Sequence, residues 1–433
     1  MAQPSESQGA PITRYQWLVL FVAWLGWVFD IADTALFNFA KGNMVTEMLG
    51  GEAAYKLHGA QVEGLIMTIF IVGWAIGGLV FGIMADRWGR TRTMILTILL
   101  YCAFTGLTAL CQTWEQVAVV RFLTGLGIGG EWAAGAALVA EVFPDRARPM
   151  AAAFLQTAAA VGPVLAALAN QALVGESWRW LFVVGIAPAL VTILIRVYVK
   201  EPERWRRAVE KSAGGALEPV KRLFSHPKWR RHAIVAMVIG VVGIAGAGNL
   251  SFWMPNLVKE ASEGLPAAVA DARKSYVTYA MHVGTLLGVF VFPWLCQQIG
   301  RRRAFWAFFV ASPASVALAL YAGADYGRLM VTAPIMSFFV IGLSAGFGLY
   351  FPELFPTAQR ATGCGLAYNT ARIGQAPLPW LTGVIIGKEA GSSARGVLLA
   401  AGVYVIGLLA LPFAPETKGK PLPEESEERQ APM

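Results

Sequence analysis

The sequence predicts an all-α membrane protein, with twelve transmembrane helices in two pseudo-symmetric six-helix bundles. Three observations carry this reading. Of the 433 residues, 56% are hydrophobic and only 14% are charged, against about 25% charged in an average soluble domain. The apolar residues gather into runs of about 20, the length at which a helix crosses a bilayer. Short charged motifs recur at one nearly constant offset, the mark of a duplicated chain.

A soluble chain of this length would split into domains with polar surfaces, and the charged residues are too few to coat them. Composition thus excludes a soluble enzyme, a disordered chain and a secreted disulfide scaffold. The formal net charge of +8 does not imply nucleic acid, because Lys and Arg cluster between the apolar runs. Cys102, Cys111, Cys296 and Cys364 lie in apolar runs without CxxC spacing. They read as small buried hydrophobes. No metal and no cofactor are expected.

The candidate spans run 16–39, 61–84, 94–112, 116–140, 149–173, 179–199, 232–255, 276–298, 304–322, 330–351, 361–386 and 395–414. Only helices suit them, because backbone polar groups in lipid must be satisfied within the segment. The first run is too long for a signal-peptide core and reads as a retained helix. Most of the 35 Lys and Arg fall in the alternate connections that share a side with both termini. The opposite side holds Lys41, Lys56, Arg179, Lys259, Arg273, Lys274, Arg328, Lys388 and Arg395. That asymmetry places both termini in the cytoplasm, which suggests a bacterial inner membrane and a multi-pass chain.

The predicted organisation is a tail at 1–15, a first bundle at 16–199, a basic linker at 200–231, a second bundle at 232–414 and a tail at 415–433. The linker pieces EPERWRRAVEK and VKRLFSHPKWRR read as short interfacial helices drawn to anionic lipid headgroups. Membrane lipid is therefore an expected partner, and the expected assembly is a monomer.

The repeat is explicit. EVFPDRAR (Glu141 to Arg148) returns as ELFPTAQR (Glu353 to Arg360), and GIMADRWGRTR (Gly82 to Arg92) returns more weakly as PWLCQQIGRRR (Pro293 to Arg303). Pro202-Glu203 returns as Pro415-Glu416. All three recur about 212 residues on, as expected of two parallel halves, a pattern of transporters that bind substrate between the halves near the midplane.

Gly82-x-x-x-Asp86-Arg87-x-Gly89-Arg90-x-Arg92 resembles the loop 2–3 signature of the major facilitator superfamily. Glu201-Pro202-Glu203-Arg204-Trp205 and Pro415-Glu416-Thr417-Lys418-Gly419 resemble the PESPRW and PETKG tags of its sugar-porter-like branch. Asp30-Ile31-Ala32-Asp33 is similar to the DGFD-type motif of the aromatic-acid and sialate or lactate proton symporters, and departs from it at the middle pair. Gly127-Ile128-Gly129-Gly130-Glu131-Trp132 and Tyr368-Asn369-Thr370-Ala371-Arg372 resemble the same group. The resemblance spans roughly 15–420. It implies secondary active transport by alternating access, with symport of protons and a small organic anion. The alternative it leaves open is a proton-coupled or facilitative sugar or polyol transporter.

Ionisable side chains inside a span cost roughly 2.5–3.5 kcal/mol each and are functional candidates by default. Arg372 lies about 18 Å in from Arg360 at 1.5 Å per residue, and Glu131 about 15 Å from Glu141. They stand at similar depth in opposite halves. Arg binds carboxylate bidentately and keeps its charge when buried, so Arg372 is the expected grip on the substrate. A fixed ion pair between the halves is the competing role.

Asp30 and Asp33 lie one turn apart on one face. Neighbouring carboxylates in low dielectric resist double ionisation, which suits a proton carrier; packing against Arg121 is the alternative. Glu131 competes as the proton site, and the resemblance places Arg121 nearby. His282 titrates near neutral pH in its free state, but a lone His in an apolar span more often packs. Tyr368, Asn369, Gln375, Asn249 and Trp253 suit hydrogen bonding and stacking with substrate; plain packing is the better reading for the last two. Tyr368, Arg372 and Gln375 share one side of span 11.

Asp86, Arg90, Glu141, Arg148, Glu353 and Arg360 are expected gate residues. The resemblance implies that Asp86 meets the positive N-terminal end of span 11, and that Glu141/Arg148 and Glu353/Arg360 form similar clamps. Gln297 stands where Asp86 would repeat, so the gate should be asymmetric. The glycines of spans 2 and 4 are expected to let helices cross closely in lipid. No HExxH, GxSxG or Walker loop is present, which argues against an enzyme and against direct ATP drive. No filter-like repeat suggests a channel.

Overall fold

The structure is a computed structural model. It describes residues 12–143, 147, 151, 154–173, 175–190, 198–199, 218–321, 325–355, 360–388 and 401–420. Among them every regular element is helical. In chain order these are α1 (Arg14–Met48), α2 (Glu52–Trp88), α3 (Arg90–Thr108), α4 (Trp114–Val142), α5 (Ala158–Ala172), α6 (Arg179–Val184), α7 (Glu218–Ser225), α8 (Pro227–Glu260), α9 (Ala267–Ile299), α10 (Arg301–Tyr321), α11 (Tyr326–Val340), α12 (Ala345–Glu353), α13 (Arg360–Gln375), α14 (Pro377–Lys388) and α15 (Val403–Ala410).

Seven described helices are long and apolar enough to cross a membrane by length and composition: Arg14–Met48, Glu52–Gly82, Thr91–Thr108, Pro227–Glu260, Ala267–Ile299, Arg301–Tyr321 and Tyr326–Phe351. Their outward faces carry exposed large apolar side chains such as Leu99, Phe290, Trp294 and Trp306. Such a girdle is stable only against lipid.

Local chemistry sets the ends. Thr13 and Gln16 form a capping box at the start of α1, and Thr113 and Gln116 form the same box at α4. Each satisfies amides that a helix N-terminus leaves unpaired. Expected span 11 is not continuous. Proline lacks an amide hydrogen and suits the first helical position, so the chain turns at Ala376 and restarts at Pro377 as α14.

The first loop differs from expectation. Lys41, assigned to an outer connection, lies inside α1 and is 1% exposed. Helix α1 runs on to Met48 and α2 begins at Glu52, leaving only a tight turn through Gly50 and Gly51. The helix extends because Lys41 finds a buried carboxylate, Glu63 of α2, at 3.2 Å. The linker also ends sooner than predicted, since α8 begins at Pro227. Residues 200–217 lie outside the described residues, and the second linker piece forms α7.

Packing follows the repeat. Gly73 and Gly77 of α2 lie against the backbone oxygens of Phe122 and Leu126 of α4, while Gly284 and Gly288 of α9 lie against those of Pro334 and Phe338 of α11. These pairs recur about 211 residues apart, close to the motif offset. A side chain at any of the four would collide with backbone, so glycine permits the close crossing. The first and second parts of the chain meet along two seams. Along one, α2 packs on α13 and α14; along the other, α5 packs on α9.

Candidate functional site

A cavity of about 190 Å³ opens between the two parts, bounded by α1, α2, α5, α8, α9, α13 and the turn before α12. Its walls are mainly apolar and aromatic, with Trp27, Phe39, Trp74, Met281 and Phe347 among them. Into this space α13 delivers Tyr368, Arg372 and Gln375, as their three- and four-residue spacing predicted.

Arg372 is 6% exposed, and its guanidinium lies over the Trp74 ring at 3.4 Å. One Nη donates to the Tyr368 hydroxyl at 3.3 Å, while Nε has no partner. No carboxylate forms an ion pair with it among the described residues. A buried guanidinium resting on an indole face keeps its charge and its remaining donors. Beside it, Gln375 holds its Oε1 buried and unpaired.

The acidic residues separate into two clusters. Asp33 is paired: it accepts from Arg121 at 2.8 Å and from the Thr105 hydroxyl at 2.6 Å, with the ion pair fully buried. Arg121 also lies over Phe70 at 4.4 Å and Phe37 at 5.0 Å. Asp30 turns elsewhere. The Glu131 carboxylate fills the notch that Gly26 leaves on α1, one turn before Asp30. The two carboxyl groups stand within hydrogen-bonding reach of each other. Neither receives a hydrogen bond from any donor among the described residues. Asp33 is thus paired with Arg121, while Glu131 packs on the stretch of α1 that carries Asp30.

Three expected substrate residues do not reach the cavity. Trp253 is fully buried and donates through Nε1 to Thr382 at 2.7 Å; Thr382 in turn reaches Asn249 Oδ1 at 3.4 Å. Both brace α8 against α14. Asn369 is buried against Gly78 of α2. Trp253 and Asn249 turn to Thr382 and Asn369 turns to α2, away from the cavity. Conversely, His282, read as packing, lines the cavity.

The gate residues are placed in part. Asp86, Arg90, Glu141 and Arg360 stand at or near helix ends, but their side chains lie outside the described residues, as does Arg148. Glu353 is described, and among the described residues it pairs with Arg301, at 2.7 and 3.1 Å, and accepts from the Thr417 hydroxyl at 2.5 Å. Glu416 accepts from the amides of Arg301, Arg302, Thr417 and Lys418 at 3.0–3.1 Å. Burial alone would raise its carboxyl, but these four amides hold it below the ordinary carboxylate value. The tail motif thus clamps the start of α10.

Sequence reasoning passed over Trp74, Lys41 and Glu63. Glu63 accepts from Tyr55 at 2.6 Å and Asn256 at 3.1 Å, and Lys41 donates to the Phe252 carbonyl at 2.6 Å. These groups join α1 and α2 to α8. Asn38 to Ser251 and Asn170 to Ser275 add further links at the same end of the molecule. The signal for Glu63 was present, as an acid within a predicted span. Trp74 gave none, because an aromatic in an apolar helix looks like core.

Comparison with known proteins agrees with this geometry. The chain is 28% identical over 428 residues to the cis,cis-muconate transport protein of Acinetobacter baylyi, covering 96% of this chain and 99% of that one. It is 28% identical over 375 residues to a sialic acid transporter of Escherichia coli, covering 85% and 87%. The crystal structure of a D-xylose-proton symporter superposes with a TM-score of 0.73 at 19% identity, covering 94% of this chain and 100% of that one, a likeness of fold. Residues 23–376 match the family described as the Major Facilitator Superfamily. The chain belongs to that superfamily of membrane transporters, and is a transporter rather than an enzyme.

Proposed function

We propose that this transporter is a proton symporter of a small organic anion, working by alternating access between two six-helix halves in a bacterial inner membrane with both termini cytoplasmic. The observation that carries the proposal is Arg372, a buried guanidinium in the central cavity with no carboxylate ion-pair partner among the described residues. A substrate carboxylate completes it, using the free Nε edge and an Nη in a bidentate pair.

Asp30 and Glu131 supply the coupling. Two buried carboxyl groups in contact resist double ionisation, so the pair holds a shared proton when the anion is present. With that proton lost, Asp30 competes for the field of Arg372 and weakens its grip on the substrate. Binding of anion and proton thereby favour each other, as linkage requires. Arg121, already neutralised by Asp33, holds α4 to α1 beside this pair. The relatives named for muconate and sialic acid transport carry acids, which supports the anion reading. The likeness to a xylose symporter rests on fold and does not favour a sugar.

The test is substrate-induced pH change in proteoliposomes, screened with lactate, pyruvate, aromatic acids, sialate, dicarboxylates and sugars. External alkalinisation with an acid supports the proposal. Silence with every acid and uptake of a sugar overturns it.

A further inference from the structure

Helix α9 sends one polar side chain into the cavity with nothing to bind it. His282 is 5% exposed and lines the cavity, and its Nδ1 has no hydrogen-bond partner. No hydrogen bond to either ring nitrogen exists among the described residues. Of the other polar groups of the cavity, Asn38 Oδ1 and Ser344 Oγ also have no partner among the described residues, while several donors are engaged. Thr278 donates to its own helix at the Lys274 carbonyl, Asn38 donates to the Ser251 carbonyl, and Gln156 donates to the Ser344 carbonyl. A buried imidazole left without a partner pays the full desolvation cost of its polar atoms, so it is a group waiting for one.

Its position matters. Arg372 belongs to α13, on the seam where α13 meets α2, and rests on Trp74. His282 belongs to α9, on the other seam, where α9 meets α5. The cavity therefore presents a guanidinium from α13 and a hydrogen-bonding ring from α9, with apolar and aromatic residues also in its wall. Gln375 stands on α13 and serves the Arg372 end.

We infer that His282 is a specificity-determining residue that hydrogen-bonds a second polar group of the substrate, so that the preferred cargo is a two-ended acid: a carboxylate on Arg372, a flat apolar middle, and a hydroxyl or comparable polar group on the imidazole. This rests on the anion reading above and narrows it.

The experiment compares benzoate with 3- and 4-hydroxybenzoate, acids that share a ring and a carboxylate and differ by one hydroxyl. Binding to the purified full-length protein is followed by quenching of tryptophan fluorescence, with thermal stability measured in parallel. The native protein should bind at least one hydroxybenzoate about five- to tenfold more tightly than benzoate, the size of one net hydrogen bond. His282→Phe should bind benzoate as before and lose that preference. If His282→Phe fails to bind benzoate, His282→Ala replaces it; failure of both makes His282 a packing residue and overturns the inference. It is also overturned if the native protein shows no preference, or if the variant keeps it. If the native protein binds none of these acids and none of the other carboxylates screened, the anion reading itself fails, which is a different result.

Discussion

The carboxylate of Glu131 occupies the notch left on α1 by Gly26, one turn before Asp30. A glycine in α1 and an acid in α4 thereby build a buried pair of acidic groups beside Arg372. If this pair carries the proton, Glu131→Gln should abolish uphill uptake driven by a pH gradient while sparing exchange of labelled for unlabelled substrate. Gly26→Val, which drives the Glu131 side chain out of the notch, should give the same split. Gradient-driven accumulation at native rates in Asp30→Asn and in Glu131→Gln would remove the pair from the mechanism.

The Asp33–Arg121 pair should behave as structure. Removing one partner leaves a buried, uncompensated charge, a loss of about 3–5 kcal/mol. Arg121→Gln and Asp33→Asn should each lower the melting temperature, and Arg121→Gln combined with Asp33→Asn should recover much of the loss. Additive losses in the double variant would show that the two residues do not act through each other.

Lys41 and Glu63 tie α1 and α2 to α8 through the Phe252 carbonyl and Asn256. Lys41→Met should loosen that end of the seam. In a background lacking the four native cysteines, a cysteine introduced in place of Asn38 should react faster with an impermeant maleimide when Lys41→Met is also present. Equal labelling in both backgrounds would mean that the seam closes without this pair.

Glu416 sets a pH limit. Its carboxyl is held low in the folded protein by four backbone amides, despite its burial. Its stabilising contribution is therefore fully present above the ordinary carboxylate range and is lost as pH falls through the lowered folded value. Glu416→Gln should lower the melting temperature at pH 7, with a difference from the native protein that shrinks as the pH is taken below 4. A difference that grows on acidification would contradict the assignment.

Much of this was legible in the sequence, and the remainder failed for one reason. Counting residues from a motif gives depth along a helix. It gives no facing direction. Tyr368, Arg372 and Gln375 were read correctly because their spacing fixes them relative to each other. Trp253 and Asn249 pack as the better of their two readings had it, but the partner, Thr382, lies far along the chain and gave no signal. Lys41 was assigned to a loop because its neutralising partner lies on another helix. The contact of Glu353 with Arg301 and Thr417 gave no signal, because it joins three separate motifs.

The central claim is that Arg372 holds the substrate carboxylate. The most direct measurement is the binding affinity of the transported acid for the purified native protein and for Arg372→Lys, with melting temperature as the control for folding. Lys keeps the charge but not the bidentate fork. The account predicts that Arg372→Lys melts close to the native protein and binds the acid at least tenfold more weakly, about 1.4 kcal/mol or more. Native affinity in a folded Arg372→Lys protein would contradict it.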